Sequence, residues 1–179
     1  MNRLDTIDKK ESIQNGIREA YDGLINEIDK VKTDRFYLQN DGKWSVAENL
    51  QHLILSTKPI IKCLNAPREF LKTFGVPNRA GRAIQEIKNK YEGALAKAGN
   101  VSVPNFTPRS EDIKDMDALK KQWLSLKDQL IEAVGNWEEN EFDEYIIPHP
   151  LLGKMTVREM LLFTILHTYH HQKAIVKYI

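Results

Sequence analysis

Three of the chain's five histidines stand in "HTYHHQ" at residues 167–172. Imidazole ligates metals and titrates near neutrality, so such a cluster poses a choice between coordination and a solvated, cation-rich helix end. A helix turns about 100° per residue, which puts His167 and His171 on one face, one turn apart, and swings His170 roughly 100° away from His171. Two imidazoles at that spacing can grip one ion, but they are too few for a stable protein site. The plainer alternative is that polar or cationic groups favour a helix C-terminus, where they meet its dipole. The choice turns on whether another element supplies a third ligand.

His52 is the candidate. It follows "WSVAENLQ" in an amphipathic segment where Leu53 and Ile54 face the core and Leu50 flanks them. Glu48, Asn49, Ser56 and Pro59 share its side, so it sits at the border of the apolar stripe. His52 lies seven residues past Ser45 and His167 eleven past Thr156, the caps expected for their helices. At 1.5 Å per residue each is roughly 10 to 17 Å along its helix, compatible with one site if the helices are offset by about a turn. His149, in "PHP" at 148–150, reads as a loop residue whose loop leads into the last helix and could line a pocket. His170 reads as a surface or supporting group.

Three neutral imidazoles suit zinc, nickel, copper or iron(II), and exclude calcium and magnesium as natural occupants. Three protein ligands leave a position open for water or substrate. An ion there can lower the pKa of bound water to about 7 or ionise a bound thiol, the first suiting a hydrolase and the second a thiol transferase. Hydrolysis gains from a carboxylate base. Glu48, one turn before His52, and Glu159, two turns before His167, are the nearest candidates, and both are expected in helix caps. Since the ligands must be neutral, metal affinity is expected to fall as pH drops through about 6.5.

The elements that would hold these groups are helical. Apolar residues at Ile13, Ile17, Ala20, Tyr21, Leu24, Ile28 and Val31 mark a first helix over about 12–31. The second starts at Ser45, with Glu48 completing a capping box, and runs toward Leu64, with a kink expected near 55–59 from Pro59. Residues 65–108 read as a long connection with a shorter helix around Ala80 to Leu95. A third long helix covers about 112–140 on Leu119, Trp123, Leu126, Leu130, Val134 and Trp137. The fourth opens at "MTVREM", with Thr156 as cap, Glu159 as its partner and Met155 against Met160 as a hydrophobic staple. "DEYIIPHPLLGK" before it reads as loop. The expected fold is all-α: a four-helix bundle whose long crossover between helices 2 and 3 carries a short extra helix, with residues 1–179 as a single domain. Trp44 is expected to anchor the His52 helix.

The balance of 26 Lys plus Arg against 25 Asp plus Glu, without a block of one sign, argues against nucleic acid as a partner. The single cysteine, Cys63, permits no intramolecular disulfide and reads as buried filler in a reducing compartment. The N-terminal segment lacks the apolar core of a signal peptide, and no stretch approaches the ~20 apolar residues of a membrane span. A cytoplasmic, soluble protein with no membrane partner is expected.

"WSVAENLQHL", "HPLLGKMTVREML" and "HTYHHQKAI" resemble the DinB/YfiT-like superfamily, in helix order over nearly the whole chain. The resemblance implies a four-helix bundle with a crossover, homodimers, a small-molecule substrate and a three-histidine metal site whose ligands match His52, His167 and His171. Zinc or nickel is then the leading ion, with iron third. It also implies thiol-dependent S-transferase chemistry, using a low-molecular-weight thiol such as bacillithiol or mycothiol. A metal-dependent hydrolase comes second, and a non-catalytic metal- or ligand-binding bundle is the rival from another class. Where many relatives read HHRGQ, this chain reads "HHQKA", with Gln172 and Lys173 in place of Arg-Gly. His170, Glu48 and His149 are the groups expected to support the site.

Overall fold

The structure is a computed structural model and describes residues 6–98, 103–113 and 115–179. Four long helices form the bundle: α1 (Lys10–Ile28), α3 (Val46–Leu64), α6 (Met116–Gly135) and α8 (Val157–Ile175). Around it α1 lies between α6 and α8, and α3 lies across from α1 between the same two. Short helices α2 (Thr33–Phe36) and α4 (Arg68–Lys72) follow α1 and α3, and α7 (Glu141–Glu144) follows α6. The crossover from α3 to α6 carries α5 (Ile84–Ala98), which packs on α8, and a 3-10 turn at Pro104–Phe106 that packs on α3.

The apolar stripes predicted for the long helices meet in one buried cluster. At its centre the rings of Tyr21 and Trp123 stack at 3.8 Å, and the Trp123 indole N–H donates to the Tyr21 carbonyl. The Tyr21 hydroxyl shares a 2.9 Å hydrogen bond with Thr57 across the bundle. Trp137 closes one end: its indole donates to the Leu64 carbonyl and the Arg68 guanidinium lies 3.4 Å over its ring.

The helix starts follow their cap chemistry. Ser45 opens α3, accepting from the Glu48 N–H while Glu48 accepts from the Ser45 N–H, and Thr156 with Glu159 repeats the arrangement at α8. Asp115 caps α6 by accepting from Ala118 N–H, later than the expected start near 112. α3 runs unbroken through Pro59.

"DEYIIPHPLLGK" is not loop throughout. Together with Met155 and Thr156 it forms an antiparallel hairpin, β1 (Ile146–His149) and β2 (Gly153–Thr156), in register Ile146↔Thr156 to His149↔Gly153. Pro148 is tolerated because a two-strand sheet has only edges, where one strand side needs no donor. Gly153 takes the left-handed conformation (φ +75°) that turns the chain back. The hairpin delivers β2 directly into the cap of α8.

Candidate metal centre and its cavity

α3 and α8 are neighbours in the bundle, and where they meet His52, His167 and His171 converge. One ring nitrogen from each lies within 4.8 Å of the others. His167 Nε2 stands 3.1 Å from His52 Nε2 and 3.1 Å from His171 Nε2. His167 and His171 are buried, and His52 is half-buried.

The outer nitrogens decide the tautomers. His52 Nδ1 lies 2.7 Å from the Phe106 carbonyl, which can only accept, so Nδ1 carries the proton. His171 Nδ1 lies 2.7 Å from Asn49 Oδ1. The Asn49 amide is oriented by its own Nδ2, which donates to the carbonyls of Trp44 (3.0 Å) and Ser45 (2.8 Å), so Oδ1 accepts and His171 Nδ1 carries the proton. Both inward Nε2 atoms therefore present lone pairs. His167 Nε2 can donate to one of them at most, so no neutral arrangement satisfies both 3.1 Å contacts. A cation accepting three lone pairs resolves the conflict, and the donor set fits a divalent transition ion, with orienting partners of the kind metal-ligating histidines use.

Burial pushes the pKa of His52 below its usual value, and those of His167 and His171 well below it, with neighbouring imidazoles adding to the effect in each. The rings are thus held neutral, and the pH window expected from a free imidazole moves below 6.5. Aromatic rings wall them in. Phe163 stacks on His167 at 5.1 Å, Trp44 lies 4.9 Å from His52, and Tyr91 meets His167 and His170 edge-on.

His52 and His167 line a cavity of about 360 Å³, reaching from the cluster to the hairpin and the crossover. Leu53, Ile60, Phe74, Leu95, Met160 and Phe163 give it an apolar wall, interrupted by Ser56, Thr57, Thr107 and His149. No charged side chain lines it among the described residues. Cys63 also reaches the wall, half-buried, with its thiol pushed up by burial.

The supporting groups fall out unevenly. His149 ends β1 and faces the cavity rather than sitting in a loop. His170 is exposed on the adjacent face, its ring 5.1 Å from His171. Glu48 is held in its cap and accepts from Gln39 at 2.6 Å. Glu159 is fully buried, and Arg79 of the crossover binds both its oxygens, at 2.6 and 2.7 Å. Burial raises the Glu159 pKa, but the bonds from Arg79 and the N–H groups of Arg82 and Thr156 outweigh it and hold the carboxylate ionised. Gln172 donates to the Gly23 carbonyl of α1 at 3.3 Å. Sequence reasoning missed Asn49 and Phe106 as orienting acceptors. Asn49 had a signal, an amide three residues before His52 on the same helix side; Phe106, 54 residues away, had none.

Fold and site together define a class: a four-helix bundle in which two neighbouring helices set three imidazoles at the wall of an apolar cavity. The chain belongs to the DinB superfamily, whose family model matches residues 17–175. It is 26% identical over 132 residues to the uncharacterised protein YuaE of Bacillus subtilis (strain 168), covering 73% of this chain and 72% of that protein. A crystal structure of a Streptococcus pneumoniae protein superposes with a TM-score of 0.62 at 15% identity, over 97% of this chain and 91% of that one. The colibactin self-resistance protein ClbS, crystallised with double-stranded DNA, superposes at 0.58 and 15% identity over 96% of each chain. At those identities the likeness is one of fold.

ClbS corrects one expectation. A protein of this fold is crystallised on duplex DNA, so nucleic acid is not excluded as a partner by the balanced, dispersed charge of this sequence. Linear charge blocks are the wrong test, because a folded face gathers basic residues from separate elements, and backbone N–H groups also meet phosphates. No described helix is long and apolar enough to cross a membrane.

Proposed function

We propose that this chain is a metal-dependent transferase in which His52, His167 and His171 hold one divalent transition ion, zinc or nickel foremost, and a low-molecular-weight thiol is joined to an electrophile bound in the adjoining cavity. The observation that carries this reading is the convergence of inward-facing imidazole nitrogens at the wall of an apolar cavity that, among the described residues, no carboxylate lines. When bound, the ion supplies Lewis acidity that lowers the pKa of a coordinating thiol or water.

The chain's own residues do the remaining work. Phe106 and Asn49 hold two imidazoles in the tautomer that offers Nε2. Leu53, Ile60 and Phe74 take up the apolar body of the electrophile and exclude water from it. Hydrolysis is the weaker reading because Glu48 and Glu159, the carboxylates nearest in sequence to the ligands, are committed elsewhere, and among the described residues no other carboxylate lines the cavity to take a proton from water. A cytoplasmic, reducing setting suits both the thiol and the single Cys63.

The test is a comparison of two reactions on zinc- or nickel-loaded protein. With cysteine or bacillithiol and 1-chloro-2,4-dinitrobenzene, the S–C bond forms, chloride leaves and the thiol proton passes to solvent. Acceleration of this reaction, lost in His167→Ala, is expected, with p-nitrophenyl acetate hydrolysed no faster than in the variant. Metal-dependent ester hydrolysis without thiol transfer would overturn the transferase reading. Neither reaction, with metal bound, would favour a non-catalytic binding bundle.

A further inference from the structure

His149 stands outside the three-histidine cluster, yet its ring too is held by hydrogen bonds. Its Nδ1 accepts two backbone N–H groups at the hairpin turn, from Leu151 (3.1 Å) and Leu152 (3.0 Å). An acceptor of two hydrogen bonds carries no proton, so the neutral ring keeps its only N–H on Nε2. Its pKa is pushed down to about 4 by burial, which keeps the ring neutral throughout the physiological range. The ring packs edge-on against Phe163 at 4.4 Å, and Phe163 in turn stacks on His167.

Nε2 has no hydrogen-bond partner among the described residues, and it is not sealed in: Arg82 Nη1 is the one buried side-chain polar atom left without a partner there. The N–H is thus accessible, on a ring that lines the cavity shared with His52 and His167. The rest of the wall is largely apolar and, among the described residues, carries no charged side chain. A charged group enclosed there, away from the three-histidine end, would lose its hydration without a counter-charge from any described side chain of the wall. An uncharged ligand with one acceptor atom would satisfy the waiting donor.

We infer that His149 is the substrate-recognising donor of this cavity, its Nε2–H meeting a carbonyl-type oxygen on an uncharged, largely apolar electrophile. The assignment of that ligand as an electrophile rests on the transferase reading; the recognition itself does not. A fixed tautomer makes the group a donor toward the cavity and unsuited to act there as a base. It also selects among ligands of equal shape, because a ligand without the acceptor leaves a desolvated N–H unpaired.

The test uses two probes of matched shape, acetophenone and α-methylstyrene, which differ in a carbonyl oxygen against a methylene. Binding is measured on the metal-free protein, so that coordination cannot contribute, and metal uptake is measured separately. In His149→Asn the amide oxygen replaces Nδ1 as the turn acceptor, and no N–H reaches the Nε2 position. Acetophenone is expected to bind about tenfold more weakly to this variant, as for the loss of one hydrogen bond, with α-methylstyrene within about twofold and the melting temperature near wild type. His149→Gln restores an N–H near the Nε2 position and sacrifices the turn acceptor, so acetophenone binding should recover while the melting temperature falls. Long-range 1H–15N spectra should report the Nε2-protonated tautomer in the wild type. Equal weakening of both probes, unchanged acetophenone binding in His149→Asn, binding of neither probe by the wild type, or an Nδ1-protonated ring would overturn the inference. Failure of the wild type to take up metal would instead sink the proposed function and leave the probe selectivity standing.

Discussion

Asn49 shows how much of the centre depends on a residue that offers no ligand atom. Its amide fixes His171 through one atom and ties itself through the other to the carbonyls of Trp44 and Ser45, at the cap of α3. Asn49→Ala leaves His171 free to turn and to change tautomer. Metal affinity is expected to fall 10- to 100-fold, the usual cost of losing an orienting partner. A competition titration against a chelating dye reads this directly, and unchanged affinity would show that the Asn49 contact does not tune the ligand. At this scale the sequence was most legible where spacing along one helix sufficed, as for His167 and His171. It was least legible where the partner came from a distant segment, as for Phe106.

Among the elements, α8 carries two of the three imidazoles, and its start is held by more than its cap. Glu159 closes the capping box and also receives Arg79, which pins the crossover to the helix that bears the site. Because Glu159 is fully buried, Glu159→Ala strands the Arg79 and Arg82 charges and removes half of the box. With both guanidinium groups still reaching water, a loss of roughly 2 to 3 kcal/mol is expected in denaturant unfolding, against about 1 kcal/mol for Thr156→Ala, which removes the cap alone. Similar losses for the two variants would mean that the ion pair contributes little. Both capping boxes were readable because each is a local pattern of four residues. The hairpin was not: Pro148 and Pro150 carry a loop signature, and the pairing of Ile147 with Met155 arises only once the chain turns at Gly153. The ion pair was hidden for a related reason, since Arg79 and Glu159 are 80 residues apart.

For the whole molecule, burying several neutral imidazoles has a consequence for stability. The pKa values of His52, His149, His167 and His171 are all depressed in the folded protein, while the unfolded chain titrates near 6.5. Above 6.5 neither state binds these protons and stability is at its full value. As pH falls from 6.5 the unfolded state takes up protons that the folded state refuses, and stability is lost progressively toward about 4, where His149 itself begins to titrate. Carboxylates such as Glu141, held at about 2 mainly by Arg68, add their own loss only below about 4.5. The melting temperature of the metal-free protein should therefore drop between pH 6.5 and 5, in the histidine window; a flat profile there would contradict the burial of neutral rings. Bound metal should raise the midpoint, by about 2.7 kcal/mol of stability at a free concentration one hundred times the dissociation constant.

The most direct test of the central claim is elemental analysis of tag-free purified protein beside His167→Ala. The three-histidine account predicts about one zinc, nickel or iron ion per chain, lost in the variant while the helix content stays the same. No uptake after supplementation with each of these ions, or equal metal in the variant, would contradict it.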